Sequence, residues 1–455
     1  QKILLPLFYT IEMSVTGTVL GIFFALVLSP FGAANLGFPA VIRRILRIVI
    51  QILRSFPALI LALTATFLFG LGTFAGTFAI TLYTFAIMTK LTYEDASAAD
   101  VKAYQALRAM GVSKYVAYIH GILPEIIPGF LTNALYLLET NVRHSSILGY
   151  VGAGGIGLLL NEKISWLEYD KVGTILLMLF LTVCVIEYFS RYLAALIRKE
   201  RTIKKEQARL LLLFLAALFL ICTFTLSLPD FSRTSPQTLR NMFAGFLQPD
   251  WSFFFSAEKD GLGYLLLETV CIAFIGTVIG AIVSAPLAFL NTKRFVPAPV
   301  SFLFNLVIMV IRSVPFLVYG LIFIRVSGPG AFTGVLTLAV CSIGLLTKRF
   351  TEALDALDPR PYHALLAMGV RPLPAICHSV LPQLKPVFTS IILYRFDVNI
   401  REASVLGLVG AGGIGAPLIF SMNQYAWEKA GAIMLGLILL VWFIDMVSEK
   451  IGAGN

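Results

Sequence analysis

The residues in this chain that could do chemistry come in two matching sets. Glu139, Asn141 and Arg143 occupy alternate positions at the end of one apolar run, and Asp397, Asn399 and Arg401 do the same in another. On a helix an acid and an arginine four residues apart share a face and can pair. The arginine could instead present its planar fork of donors to an oxyanion. Both readings stay open here, because a charge inside an apolar run is costly and usually faces a cavity or a partner helix. Arg54 and Arg312 each head an Arg-Ser-x-Pro turn and are two further candidates, read first as structural.

Gly152, Gly154, Gly155 and Gly157 fit G-x-G-x-x-G, as do Gly410, Gly412, Gly413 and Gly415. A dinucleotide site needs that turn to follow a β-strand and open a helix. Apolar runs without strand alternation precede both copies, and no Gly-x4-Gly-Lys-Ser/Thr loop occurs. Glycines here are expected to allow close helix approach or a tight bend at the outer face. The five cysteines stand apart, with neither metal nor disulfide spacing. No catalytic residue, metal or nucleotide is therefore expected in this chain.

The elements that must hold these residues follow from composition. Of 455 residues, 58% are hydrophobic and 13% charged, about half the charged share of a soluble domain. Apolar runs reach the ~20 residues that cross a bilayer, Thr174 to Leu196 and Leu210 to Leu228 most cleanly. The net charge of +10 gathers in short polar segments: Arg43, Arg44 and Arg47; Arg198 to Lys205; Lys293 and Arg294; Lys348 and Arg349. Cytoplasmic loops carry such an excess, so the charge is read as topology and not as binding to nucleic acid. The chain is expected to be an all-α, multi-pass protein of the lipid bilayer.

Self-comparison shows one unit written twice. Ala106 to Val112 recurs as Ala364 to Val370, Leu148 to Gly157 as Leu406 to Gly415, and Arg54 to Pro57 as Arg312 to Pro315. The offset is 258 each time (369 − 111, 415 − 157, 312 − 54). Residues 1–200 form the first repeat, 201–262 a connecting region with a membrane helix at 210–228 and an outer segment, and 263–455 the second repeat. Spans are expected at 8–30, 48–70, 73–89, 127–143 and 174–196, and at 210–228, 264–290, 302–324, 331–347, 385–404 and 428–447, about 11 in all. Parity between the copies predicts one more helix ahead of Gln1. Two parallel copies suit a path between them.

From Lys90 to Pro124 and from Lys348 to Pro382 runs a polar, Ala-rich stretch. Tyr104, Leu107, Met110 and Val112 are spaced for one apolar face. Gly111 or Gly369 breaks the helix, and Leu123-Pro124 or Leu381-Pro382 closes it. A helix, a bend and a second helix on the inner face would make a rigid knob.

That loop resembles the one in binding-protein-dependent import permeases, which carry Glu-Ala-Ala, a glycine, then Leu-Pro at the spacing seen after Gly111 and Gly369. The triplet reads Gln105-Ala106-Leu107 and His363-Ala364-Leu365 here, so its acid is absent from both copies. The blocks 141–157 and 399–415 are similar to phosphonate importer permeases, the second more closely, through Tyr394 to Asn399. The resemblance implies the type I ABC importer permease fold, with about 5–6 transmembrane helices per repeat, in a bacterial inner membrane. It implies that the Gly-bent loops dock two ATPase subunits, which bind ATP and Mg and supply the hydrolysis. It implies an extracytoplasmic substrate-binding protein and a cargo of phosphonate, phosphite or hypophosphite. An amino-acid or quaternary-amine permease and a gradient-driven carrier are the alternatives.

Overall fold

A computed structural model describes residues 2–197, 205–227, 229, 236–256, 258 and 261–453 of the chain. Those residues are helical throughout their regular elements, and they group into two compact units, Gln1–Arg240 and Asn241–Asn455.

In the first unit the helices are α1 (Leu4–Gly32), α2 (Ala40–Ser55), α3 (Ala58–Phe69), α4 (Thr73–Ala98), α5 (Lys102–Ala109), α6 (Lys114–Gly121), α7 (Leu123–Leu148), α8 (Ile156–Ser165), α9 (Tyr169–Ile197) and α10 (Lys205–Thr225). Next comes α11 (Pro236–Leu247), which straddles the division, then α12 (Trp251–Phe254). The second unit continues with α13 (Leu262–Asn291), α14 (Ala298–Ser313), α15 (Phe316–Ser327), α16 (Ala331–Ala356), α17 (Arg360–Ala367), α18 (Pro372–Ala375), α19 (Leu381–Leu406), α20 (Gly415–Asn423) and α21 (Trp427–Ala453). α2, α3, α4, α5 and α7 begin and end 258 residues before α14, α15, α16, α17 and α19, so the repeat in the sequence is a repeat of helices.

Each unit is built on one close helix pair. α1 lies along α4 because Gly17 and Gly21 present no side chain: a Cβ on Gly17 would come within 2.8 Å of Ile80 Cβ, and one on Gly21 within 2.7 Å of Thr84 Cβ. α13 and α16 repeat this with Gly276 against Leu338 and Gly280 against Ser342. Small residues let membrane helices approach closely where lipid offers no hydrophobic drive. α7 packs across the first pair and α19 across the second.

The expected spans 48–70 and 302–324 are not straight. α2 and α3 meet at 95°, and α14 and α15 at 85°. Pro57 and Pro315 cause the break, since the residue before proline is driven out of the helical region and Phe56 and Val314 are extended (ψ 126° and 123°). Hydropathy continues through the corner, which is why a window average reads a single run. Among the described residues seven helices are long and apolar enough to cross a membrane, ten if each bent pair counts as one span. The expected helix 210–228 is α10, packed on α1, and its described apolar part is Leu215–Thr225. Residues 198–204 of the basic segment, residue 228 at the end of the expected helix, and several in the expected outer segment (230–235, 257, 259 and 260) lie outside the described residues.

Candidate functional site

The polar cluster in α7 is organised by its asparagine. Asn141 is fully buried, and its amide donates to the hydroxyls of Thr18 on α1 and Thr84 on α4, both at 2.8 Å. Asn399 donates to Thr277 and Ser342 at 2.6 and 2.9 Å. Asn141 and Asn399 were candidates for the substrate path; each stands inside its own repeat and fixes the rotation of its helix against the close pair. Residues two positions away point about 200° round the helix, and there stand the acid and the arginine. Arg143 donates through Nη2 to Glu139 Oε1 at 2.7 Å, with side chains 15% and 9% exposed. Arg401 makes the matching contact with Asp397, at 16% and 10% exposed. The pairing that four-residue spacing allows is formed in both repeats. Arg54 and Arg312 sit half-buried at the ends of α2 and α14, above the proline corners.

The glycine loops follow α7 and α19, a helix rather than a strand in each case. Gly152, Gly154 and Gly155 have φ of 84°, 78° and 75°, and Gly410, Gly412 and Gly413 have 90°, 81° and 75°, values that residues with a side chain rarely adopt. The loops are tied down identically. Gly72 N–H donates to Gly152 O at 3.1 Å and Gly330 N–H to Gly410 O at 2.9 Å. Thr10 and Thr269 hydroxyls accept from Ile156 and Ile414 N–H. At Gly157 and Gly415 the carbonyls of Ser146 and Ser404 fill the space a Cβ would need. The motif is a helix-packing turn.

On the loop between α4 and α7 the expected helix, bend and helix are present. α5 ends at Ala109, Gly111 takes φ +83°, and α6 begins at Lys114 with Ser113 Oγ accepting from Val116 N–H at 3.4 Å. Gly369 has the same φ. α6 meets α7 at 70°, at Leu123-Pro124. The second copy differs beyond its glycine. Arg371 replaces the serine cap and prolines stand at 372 and 374, so the chain forms a single turn and then a π-helical segment, Ile376–Val380, that runs into α19 at Leu381-Pro382.

Gln105, Ala106, His363 and Ala364 are exposed. Met110 does not belong to the packed face as its spacing suggested, because it follows the last residue of α5; it and Met368 are each 78% exposed at the tip. Tyr104 is the anchor of α5: its hydroxyl donates to Leu36 O at 2.6 Å, and burial among Leu36, Tyr93, Tyr118 and Ile122 raises its pKa.

Sequence reasoning missed Asp100 and Asp358, again 258 apart, which start the two bent loops. Asp100 Oδ1 accepts from Lys102 N–H and Asp358 Oδ1 from Arg360 N–H, both at 3.0 Å. The backbone bond to Lys102 holds the Asp100 carboxyl below its ordinary range, and the side-chain bond from Arg360 does so for Asp358. An aspartate two residues ahead of a basic residue at a helix start was the available signal.

The family model for "binding-protein-dependent transport system inner membrane component" matches residues 17–202 and again 276–451. The chain is similar to the phosphate-import permease protein PhnE of Mycolicibacterium smegmatis, 28% identical over 447 residues, covering 96% of this chain and 83% of that one. It is similar to the phosphite transport system permease protein PtxC of Stutzerimonas stutzeri, 36% identical over 184 residues, 40% of this chain and 67% of that one. It is also similar to the putative cryptic phosphonate transport system permease protein PhnE2 of Escherichia coli, 37% identical over 117 residues, 26% of this chain and 96% of that one. Among solved structures, an inward-facing conformation of the MetNI methionine ABC transporter aligns with a TM-score of 0.39 at 18% identity, over 42% of this chain and 96% of that one.

Proposed function

The chain belongs to the binding-protein-dependent transport system inner membrane components, and from that premise we propose that it is a two-in-one permease for a phosphorus oxyanion. It is a multi-pass transport subunit of the bacterial inner membrane. The observation that carries the cargo is the similarity to a phosphate-import permease, which runs through both repeats, supported by shorter relatives named for phosphite and phosphonate. The chemistry agrees: Arg143 and Arg401 place a guanidinium at matching positions of α7 and α19, and that fork suits a tetrahedral oxyanion.

In this reading two ATPase subunits bind ATP and Mg and dock on the loops 102–124 and 360–382, and a substrate-binding protein delivers the anion from outside. Met110 and Met368, large and exposed at the glycine bends, are the contacts that would enter a cleft of the ATPase. Pulling the bent loops together moves α7 and α19, because α6 leads directly into the first and the π-helical segment into the second.

The test is uptake into proteoliposomes holding the chain with its ATPase subunits and binding protein. Labelled phosphate, phosphite and methylphosphonate are each offered against methionine. At least one phosphorus anion should enter in an ATP-dependent manner, and Arg143→Gln with Arg401→Gln should cut that uptake by about tenfold or more. Uptake of methionine alone, or uptake without ATPase subunits, overturns the proposal.

A further inference from the structure

We infer that Glu139 and Asp397 are resident counter-anions, which neutralise Arg143 and Arg401 in the resting protein and are displaced by the oxyanion during transport. The inference rests on the reading above that the cargo is a phosphorus oxyanion.

An arginine that meets an anion only during passage must be neutralised the rest of the time, because an uncompensated guanidinium away from water is strongly destabilising. A carboxylate four residues back does this on the arginine's own helix. It can leave by a side-chain rotation, with no helix moving, and the guanidinium stays paired throughout: one anion takes the place of another beside it. Arg143 contacts Glu139 through one nitrogen only, so the second arm of its fork is not used on the resident acid. A tetrahedral oxyanion can engage both arms, which gives the cargo an advantage over the acid it displaces.

The constancy of the pair points the same way. The surrounding polar contacts differ between repeats. Ser14 and Ser145 share a hydroxyl contact at 2.6 Å in the first, where the second has Ala273 and Ala403. Arg395 meets Glu402 in the second, where the first has Leu137 and His144. Packing is thus solved in two ways, while the acid, the asparagine lock and the arginine keep one geometry on both helices. The acid changes from Glu to Asp without losing the contact, so the fixed feature is the negative charge beside the arginine.

A resident acid also competes with free anion in the medium. Removing its charge should let the permease bind phosphate unaided. The experiment uses the chain with its ATPase subunits in lipid nanodiscs, without binding protein, and measures bound radiolabelled inorganic phosphate by equilibrium dialysis. Wild type should bind weakly. Glu139→Gln with Asp397→Asn should bind tenfold to a hundredfold more tightly, on the order expected when a like charge is removed beside the site. Adding Arg143→Gln and Arg401→Gln should abolish the gain.

The inference falls if the neutral variant binds phosphate no more tightly than wild type while keeping its unfolding midpoint. Should the double variant not assemble, each single variant, which leaves the other repeat intact, is measured the same way and must show the gain at one site per chain. Uptake by the wild-type complex is scored separately. If no phosphorus anion enters, the cargo reading fails and takes this inference with it. If uptake is sound and dialysis shows no gain, only the counter-anion role is lost.

Discussion

Arg395 and Glu402 form a buried ion pair at 2.7 Å in the second repeat, and the first repeat has Leu137 and His144 at the same two positions. Arg395 is 4% exposed and also donates through Nε to Ser342 Oγ at 3.1 Å, which joins it to the hydroxyl already bonded to Asn399. Breaking such a pair by removing one partner leaves the other charge uncompensated, a loss of about 3–5 kcal/mol when both are buried. Glu402 retains 18% exposure, so Arg395→Leu should cost somewhat less, about 3 kcal/mol. The double change Arg395→Leu with Glu402→His copies the first repeat and should recover most of the loss. Midpoints of thermal unfolding in detergent decide it; equal losses for single and double variants would show that the pair contributes nothing as a pair.

The asparagine locks should be unequal for the same reason. Asn141→Ala frees two hydroxyls, those of Thr18 and Thr84, at about 1–3 kcal/mol. Asn399→Ala withdraws a donor from Ser342, which Arg395 still engages, so its loss should be the smaller of the two and should grow when Arg395→Leu is already present. A double-mutant cycle on those two residues measures that coupling directly, and an additive result would separate them.

Much of this architecture is written in the chain twice, and the copies are what made it legible. Five helices of the first repeat reappear at the offset found by comparing short motifs, and the acid, asparagine and arginine reappear with them. A comparison that looks for matches is blind to departures, so Arg395 and Glu402, present in one copy only, gave no signal. The Arg-Ser-x-Pro turns at Pro57 and Pro315 were visible, but apolar residues continue on both sides and hydropathy carries no direction, so each was still read inside one straight span. The polarity of Asn141 was visible, whereas the hydroxyls that satisfy it come from α1 and α4, far away in sequence. Met110 followed helical spacing on paper, but its helix stops one residue earlier.

Gly111 should be the most sensitive residue of the bent loop by conformation alone. Its φ is +83° and nothing stands within 4 Å of where a Cβ would lie, so an added side chain meets no neighbour and the whole cost is backbone strain. That cost is roughly 1–2 kcal/mol for a residue with a Cβ, and less for asparagine, which tolerates the left-handed region. Gly111→Val should therefore uncouple ATP turnover from uptake, and Gly111→Asn should retain most of the coupling. Comparing anion moved per ATP in the two variants checks it; equal coupling in both would mean that the bend is dispensable.

The aspartates that open the loops give a pH dependence with a definite sign. Both carboxyls titrate below their ordinary value of 3.8 in the folded chain. A depressed carboxylate contributes stability above its unfolded pKa and loses it as pH falls through the folded one. Amide protection over 102–106 and 360–364, corrected for intrinsic exchange, should be level from about pH 7 to 5 and fall below about pH 4. Asp100→Ala should remove the fall in the first segment and leave the second unchanged. A fall already complete above pH 5 would assign the effect to some other group.

Glu12 is a charged group whose burial the described residues do not repay. It lies in α1, is fully buried, and among the described residues neither carboxylate oxygen has a hydrogen-bond partner; the hydroxyl of Thr16, one turn on, has none there either. The second repeat has Cys271 at the corresponding position of α13, exposed. A buried polar group without a partner costs about 1–3 kcal/mol relative to an apolar group of the same shape. Glu12→Leu should therefore raise the stability of the first unit by that amount, and Glu12→Gln, which keeps polar atoms in the same place, should raise it less. If both substitutions lower the unfolding midpoint while uptake also falls, the carboxylate has a task in transport, and the ranking of leucine above glutamine fails with it.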